Sequence, residues 1–369
     1  MKNIIIRGYY GRDNLGDELM KGIFIENFNK SSNLQIMNSD PDGLFAEYGI
    51  NTPPELVTGK TPSFKNAISR FMTIMKSDLF VFGGGTILTD KHGYFHLAEN
   101  AVYFVLRRVI GKKSLLISVG ATKFKSNIGK ILSKVLVYSS NGTLVRDYDS
   151  YMLLKKITSN SKKLVLSSDM VLLTTKQFDF NLAIESKTIG ICIMPYNWAT
   201  FHKNGNDADL LRRFAEQIVL IGHKTGYKFI IIPIQYGTNS TTDYEYSKQL
   251  YNIIKDKVDV EFCERKGIEN KIYELGRCEY LISMRLHALM ISALTGGKVF
   301  AINHNEKIAY FMKRYADIKH SVTLSEMQLI SEKFLNMMTD TNSIKQYALS
   351  ADYKRACFNI SIINKYITK

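Results

Sequence analysis

What the chain lacks narrows its function first. No stretch of 18 apolar residues occurs among its 369 residues, so no membrane-spanning helix is expected. The start, Met1-Lys-Asn-Ile-Ile-Ile-Arg7, has three apolar residues before a charge, and on that pattern no signal peptide is expected either. Only four cysteines are present (Cys192, Cys263, Cys278, Cys357), widely spaced and without a C-x-x-C pair. They read as buried or free thiols in a reducing cytoplasm, not as a zinc site or a disulfide frame. Among seven histidines one pair, His92-x-x-x-His96, has helical i,i+4 spacing. It lacks a Glu at the second position and follows a glycine loop, so no metal site is expected. No basic run with interleaved aromatics and no nucleic-acid motif is evident, and no internal repeat or low-complexity tract.

What is present is an ordinary soluble composition, with 45% hydrophobic and 22% charged residues. The length exceeds one ordinary core, so two domains are the first expectation. A net charge of +15, from 49 Lys+Arg against 34 Asp+Glu, favours anionic partners. The lysines are scattered, which favours a solvated, soluble surface, and charge alone decides nothing.

The most informative stretch runs from Tyr280 to Ile302. A short strand leads to Ser283 as N-cap, an apolar helix runs to Gly296 and Gly297, and a second strand spans Val299 to Ile302. Such a strand–helix–strand unit belongs in a parallel sheet. Arg285 and His287 fall in the helix's first turn, at the carboxyl end of a strand, where open α/β sheets bind ligands. Helix N-termini suit anions. The alternative is that Arg285 pairs with a carboxylate and His287 is a satisfied core histidine.

Other units repeat this theme. Asn3–Ile6 is a strand followed by Gly8-Tyr-Tyr-Gly-Arg-Asp-Asn-Leu-Gly-Asp-Glu18 and a helix starting near Gly16. The spacing Gly11-x4-Gly16 mimics a P-loop, but Asp17 and Glu18 replace its Lys and Ser/Thr and would repel a triphosphate. Either these acids complement the helix dipole, or Asp17 takes a proton or hydrogen bond from a hydroxyl substrate. Asp78–Phe82 is a strand ending in Gly83-Gly-Gly-Thr-Ile-Leu-Thr-Asp90, whose glycines allow close backbone approach. Further strands end at Val119 and at Val145-Arg146-Asp147, and Met170–Leu173 closes the first half. The stretch Ser31–Lys76, with Pro41, Pro53, Pro54 and Pro62, resists assignment. Gln177–Lys187 is a polar linker. Strands at Thr188–Ile193, Lys228–Ile234 and Val258–Phe262 and helices at Leu210–Gly222 and Ile268–Arg277 follow. A loop at Pro195–Asp209, a polar loop at Gln235–Asp243 and a helical end at Ser325–Lys369 complete the reading.

Four patterns agree with one family. Gly8-Tyr-Tyr-Gly-x-x-Asn-Leu-Gly-Asp-Glu18, Phe82-Gly-Gly-Gly85 with Asp90, Val145-Arg-Asp147, and Ser283-Met-Arg-Leu-His-Ala288 with Lys307 resemble polysaccharide pyruvyl transferases. The resemblance implies an α/β fold of two Rossmann-like lobes facing a central cleft, similar to GT-B glycosyltransferases. The expected division is residues 1–180 as the acceptor-side lobe, 188–325 as the donor-side lobe, and a helical segment 326–369 packing back across the lobes. It implies a cytoplasmic pyruvyltransferase of cell-envelope polysaccharide biosynthesis, at the inner membrane face, that moves pyruvate from phosphoenolpyruvate onto two hydroxyls of a sugar, free or lipid-linked. The products are a cyclic ketal and phosphate. No cofactor is implied, phosphoenolpyruvate being a substrate.

On this resemblance Arg285, Leu286 and His287 line the donor site, and Arg146 is a second anion contact, with Asn14, Gly84, Gly85 and Lys307 as further substrate-binding positions. Guanidinium groups bind carboxylate or phosphate in two-pronged fashion. His287 is the expected general acid, and Asp17 the group that orients or deprotonates the sugar hydroxyl. Two other readings stay open: a sugar-nucleotide glycosyltransferase of the same architecture, and a non-catalytic carbohydrate-binding or assembly protein. An anionic membrane face is an expected contact of the basic surface.

Overall fold

Strands that are apolar on both faces dictate the architecture. Ile4, Ile5 and Ile6 are all buried, as are Phe229, Ile230 and Ile231. Such runs belong in parallel sheets covered by helices on each side. The computed structural model describes residues 1–39, 52–58, 64–91, 93–174, 183–195, 207–236, 242–264, 267–340 and 344–368. His92, Pro41, Pro62, and much of the Gln177–Lys187, Pro195–Asp209 and Gln235–Asp243 segments lie outside these residues.

The chain divides into two compact units, Met1–Gln177 with Ala351–Lys369, and Phe178–Ser350. The first contains β1 (Asn3–Arg7), β2 (Asn33–Met37), β3 (Leu79–Gly83), β4 (Lys113–Val119), β5 (Gly142–Val145) and β6 (Leu164–Leu166). Their spatial order is β2-β1-β3-β4-β5-β6, every pair parallel. Its helices are α1 (Leu15–Phe28), α2 (Phe64–Lys76), α3 (Phe95–Val109), α4 (Asn127–Ser139) and α5 (Tyr148–Ile157). The core joins Ile5, Phe80, Phe82, Phe104, Leu116 and Val145.

The second unit contains β7 (Glu185–Cys192), β8 (Lys228–Ile231), β9 (Val260–Phe262), β10 (Cys278–Ser283), β11 (Lys298–Asn303) and β12 (Ser321–Thr323). They run in the order β12-β11-β10-β7-β8-β9, again all parallel. Helices α6 (Asp207–Thr225), α7 (Asp243–Ile254), α8 (Ile268–Arg277), α9 (Leu286–Leu294), α10 (Glu306–Tyr315) and α11 (Ile330–Thr339) belong to it, and α12 (Gln346–Thr368) follows. Its core includes Ile191, Phe229, Tyr280, Ile282, Phe300 and Phe334.

Several boundaries differ from the sequence reading. The unassigned Ser31–Lys76 stretch contains edge strand β2 and, at its end, α2. Short strands β6 and β12 carry only three residues each, too few to show a period. Ser283 ends β10 and is not the cap of α9. That cap is Arg285, whose backbone N–H donates to Ser283 Oγ at 2.8 Å. The second unit continues to Ser350, beyond the expected boundary at 325.

From Ala351 onward α12 belongs with the first unit. Asn359 is fully buried, receives the Ser167 hydroxyl at 2.9 Å and donates to the Ser168 carbonyl at 3.1 Å. Lys2 Nζ donates to the Tyr366 carbonyl at 3.0 Å. Replacing Asn359 by Ala removes both of its bonds, leaving the Ser167 hydroxyl to the Arg355 carbonyl and the Ser168 carbonyl to the Ser118 hydroxyl, and is expected to cost about 1–3 kcal/mol. Urea denaturation measures this, and an unchanged midpoint would show that α12 is held by its apolar contacts alone.

Candidate functional site

Each sheet reverses its strand order once, and that reversal opens a crevice at the carboxyl ends of the flanking strands. In the first unit it lies between β1 and β3, and in the second between β7 and β10. Asn14, Asp17, Gly84 and Gly85 sit at the first of these places and Arg285, Leu286 and His287 at the second, whereas Arg146 follows β5 and Lys307 follows β11.

In the first unit the loop after β1 is fastened by Glu18. This buried carboxylate accepts the Gly11 N–H at 2.5 Å and the Arg12 N–H at 3.2 Å, and pairs with buried Lys21 at 2.5 Å. Asn14 caps α1 through its side chain, which accepts the Gly16 N–H at 3.2 Å. Both residues therefore shape the loop, and Asp17, half-buried in the first turn, is displayed by it. The loop after β3 comes to meet it. Gly84 and Gly85 have φ of +80° and +84°, a region that side-chain-bearing residues avoid, and a Cβ on Gly85 would stand 3.3 Å from Asp17 Oδ1. The Tyr10 hydroxyl donates to the Gly83 carbonyl at 2.8 Å and ties the two loops together. Burial, with Asp17 and Glu18 adding to it, pushes the Tyr10 phenol well up, so it remains a donor.

Arg146 lies under this loop, only 5% of its side chain exposed. One guanidinium nitrogen donates to Thr86 Oγ1 at 2.8 Å, directly after the three glycines, and another to Asp169 at 2.9 Å. Asp147 caps α5 by accepting the Ser150 N–H at 2.8 Å. Asp90, expected with the glycine motif, instead secures the start of α4, accepting from the Lys125 and Ser126 N–H groups at 2.8 and 2.7 Å.

In the second unit Arg285 is partnered. Its Nε donates to Asp243 Oδ2 at 2.8 Å, its Nη2 bonds the other Asp243 oxygen, and the same nitrogen reaches Gln235 Oε1 at 3.3 Å. Asp243 is wholly buried at the first position of α7. Burial pushes its carboxyl up, against the opposing pull of Arg285, Lys271 and the Gln235 backbone N–H. Lys271, also wholly buried, donates to the Ile234 carbonyl at 3.0 Å. Leu286 and His287 open α9 and are partly buried. Lys307 lies in the first turn of α10, whose cap Asn305 accepts its N–H at 3.1 Å.

His304 was missed in the sequence, although it immediately follows β11. Burial drives its imidazole down to about 4, with Arg285 and Lys307 pressing the same way, so both cations lie near it. Neutral His304 accepts from Asn305 Nδ2 at 2.8 Å through Nε2, which leaves Nδ1 as the protonated nitrogen, 3.4 Å from the Ile302 carbonyl. Asp243 and Gln235 were also passed over. Their signal was the polar loop after β8, at the same sheet edge as Arg285. Among the described residues no cluster of three or more His, Cys, Asp or Glu could hold a metal ion.

A family model for polysaccharide pyruvyl transferases matches residues 14–306, from Asn14 at the start of α1 to beyond His304. The chain belongs to that family. No curated protein sequence matches it. Its fold is similar to that of UDP-GlcNAc 2-epimerases. The enzyme of Methanocaldococcus jannaschii matches with a TM-score of 0.68 at 14% identity, covering 99% of this chain and 100% of that one. The Neisseria meningitidis enzyme bound to UDP-GlcNAc matches with 0.62 at 12% identity, 99% of each chain being covered. HepE of Anabaena in complex with UDP-glucose matches with 0.55 at 11% identity, over 100% and 98%. These likenesses establish a two-lobe α/β fold of GT-B type.

His304 makes stability depend on pH. Its folded value lies below the unfolded one of about 6.5, so the unfolded chain binds the extra proton as pH falls. Its contribution is complete above about pH 6.5 and is lost as pH falls towards 4, on the order of 3 kcal/mol. Urea midpoints between pH 4 and 7 should fall less steeply for His304→Gln than for the wild type. Identical slopes would place the imidazole in water.

Proposed function

We propose that this pyruvyl transferase moves pyruvate from phosphoenolpyruvate onto two hydroxyls of one sugar, in a surface polysaccharide or its lipid-linked precursor. The second unit serves the donor. The observation that carries the reading is a gathering of cationic side chains at one sheet edge. Among the described residues buried Asp243 faces Arg285 and Lys271, and Arg285 and Lys307 both lie near His304. The N-termini of α7, α9 and α10 belong to that same edge. Phosphoenolpyruvate, with a carboxylate and a phosphate, suits such a set.

Asp243 takes up two guanidinium nitrogens of Arg285, and in doing so fixes the plane of the group. An arginine held in one orientation loses less entropy on binding an anion than a free one. Lys307 supplies an ammonium for the second anionic group. His287 protonates the methylene carbon, and the first sugar hydroxyl bonds to C2. The C2–O bond to phosphate then breaks, and the second hydroxyl closes the ring. The two hydroxyl protons are accounted for by the new methyl group and the released phosphate. In the first unit Asp17, set against Gly85, orients or deprotonates the acceptor hydroxyl. Arg146 holds the loop through Thr86.

The likeness to proteins solved with UDP-GlcNAc and UDP-glucose favours one alternative, a sugar-nucleotide glycosyltransferase. A thermal-shift titration with EDTA present separates the two. Phosphoenolpyruvate at a hundredfold excess over its dissociation constant should stabilise the protein by about 2.7 kcal/mol, and Arg285→Ala should abolish the shift. A shift with UDP- or GDP-sugars alone would put the glycosyltransferase first. With an acceptor in hand, His287→Ala should lower phosphate release by about 10²–10⁴ while leaving the phosphoenolpyruvate shift intact. Undiminished turnover in that variant would remove His287 from the chemistry.

A further inference from the structure

Helix α3 is built inside out. Its sheet-facing side is closed by Leu97, Ala101 and Phe104, with Arg107 buried among them. Its outward side carries Phe95, Val102, Leu106 and Val109, spaced seven, four and three residues apart and so in one line along the helix. Phe95 is 81% exposed and Val109 77%. Ile110 extends the line beyond the helix end. Neighbouring α4, which packs beside α3, adds exposed Ile128, Ile131 and Tyr138. A row of large apolar side chains turned to water on two adjacent helices marks a surface that something covers.

The charge around it says what. Residues 91–140 contain nine Lys or Arg against one acid, Glu99, and Glu99 is neutralised by Arg7 at 2.5 Å. Arg107 is buried, and seven of the other basic residues are exposed. Lys130 and Lys134 share the outward face of α4 with Ile131, Lys123 and Lys125 precede that helix, and Arg108 and Lys113 flank the end of α3. An apolar stripe rimmed by cations is the composition that lies in a lipid headgroup layer, the side chains entering the acyl boundary and the lysines meeting anionic headgroups. A second copy of this chain would bring the same cations face to face, which disfavours a symmetric dimer across this surface.

We propose that the outward face of α3 and α4 docks the protein on an anionic lipid bilayer. The surface stands on its own geometry and does not depend on the identity of the reaction. Flotation of the purified protein with phosphatidylcholine vesicles, with and without phosphatidylglycerol, tests it. The wild type should float with the anionic vesicles and not with the neutral ones, and high salt should release it. Phe95→Ser combined with Val109→Ser, and separately Lys130→Glu combined with Lys134→Glu, should lose most of the bound fraction. Since all four side chains are exposed, the melting temperature should not move. Light scattering on the same proteins reads the competing occupant. A wild type that stays unbound, variants that float as well as it does, or a wild-type dimer that the Phe95/Val109 pair converts to monomer would each overturn the proposal. No arm contains phosphoenolpyruvate, so failure here and failure of the pyruvyl-transfer reading are separate results.

Discussion

Parallel pairing is the constraint from which the functional geometry follows. Every strand in both sheets runs with its neighbour, so each connection must cross back over the sheet before the next strand begins. Helices fill those crossovers, and all their N-termini arrive at the edge where the strands end. Positive helix ends and exposed amide groups are thereby concentrated on one edge of each unit. Strand order then selects one point on that edge, where neighbouring connections depart in opposite directions. The loops holding Asp17 and Gly85 flank that point in the first unit, and Arg285 follows β10 at its counterpart in the second.

Buried charge is the second theme, and its management separates scaffold from chemistry. Glu18 with Lys21, and Arg146 with Asp169, are ionic groups removed from water whose partners and hydrogen bonds compensate the desolvation. They hold loops. A line of contacts runs from Asn359 through the Ser168 carbonyl, along the chain to Asp169, then through Arg146 to Thr86 beside the glycine loop. Through it the returning C-terminal helix supports a loop more than two hundred residues earlier in the chain. Arg285 with Asp243 differs in that Lys271 lies close to the same carboxylate, and Lys307 joins Arg285 beside His304.

The strong signals in the sequence were local ones. Apolar runs beside glycine-rich loops located β1 and β3, an apolar run leading to Arg285 located β10, and Ile268–Arg277 was placed at its observed limits because its apolar residues keep a helical period. Asn14, Asp17, the glycines and Arg285 were likewise visible through their position after a strand. Strands β6 and β12 gave no period to read, and β2 was hidden in a stretch crowded with prolines. Long-range partners were also invisible. Nothing in the local pattern near Arg285 indicates that its carboxylate lies 42 residues earlier, at a helix start beyond a polar loop. His304 carries no motif, and only burial beside two cations distinguishes it.

The same limit governs the α3 surface. Amphipathic periodicity marks a helix with one apolar face, and the ordinary inference is that this face meets the core. In α3 both faces are apolar, which reads as a fully buried helix. The structure resolves the ambiguity because the sheet can cover only one side, and Leu97, Ala101 and Phe104 already occupy it. The remaining side must face water or a partner. Its burial on a bilayer would give the scattered basic charge a direction: the lysines that look like a uniform solvated surface in the sequence are, between residues 91 and 140, concentrated around the apolar residues that the sheet leaves uncovered.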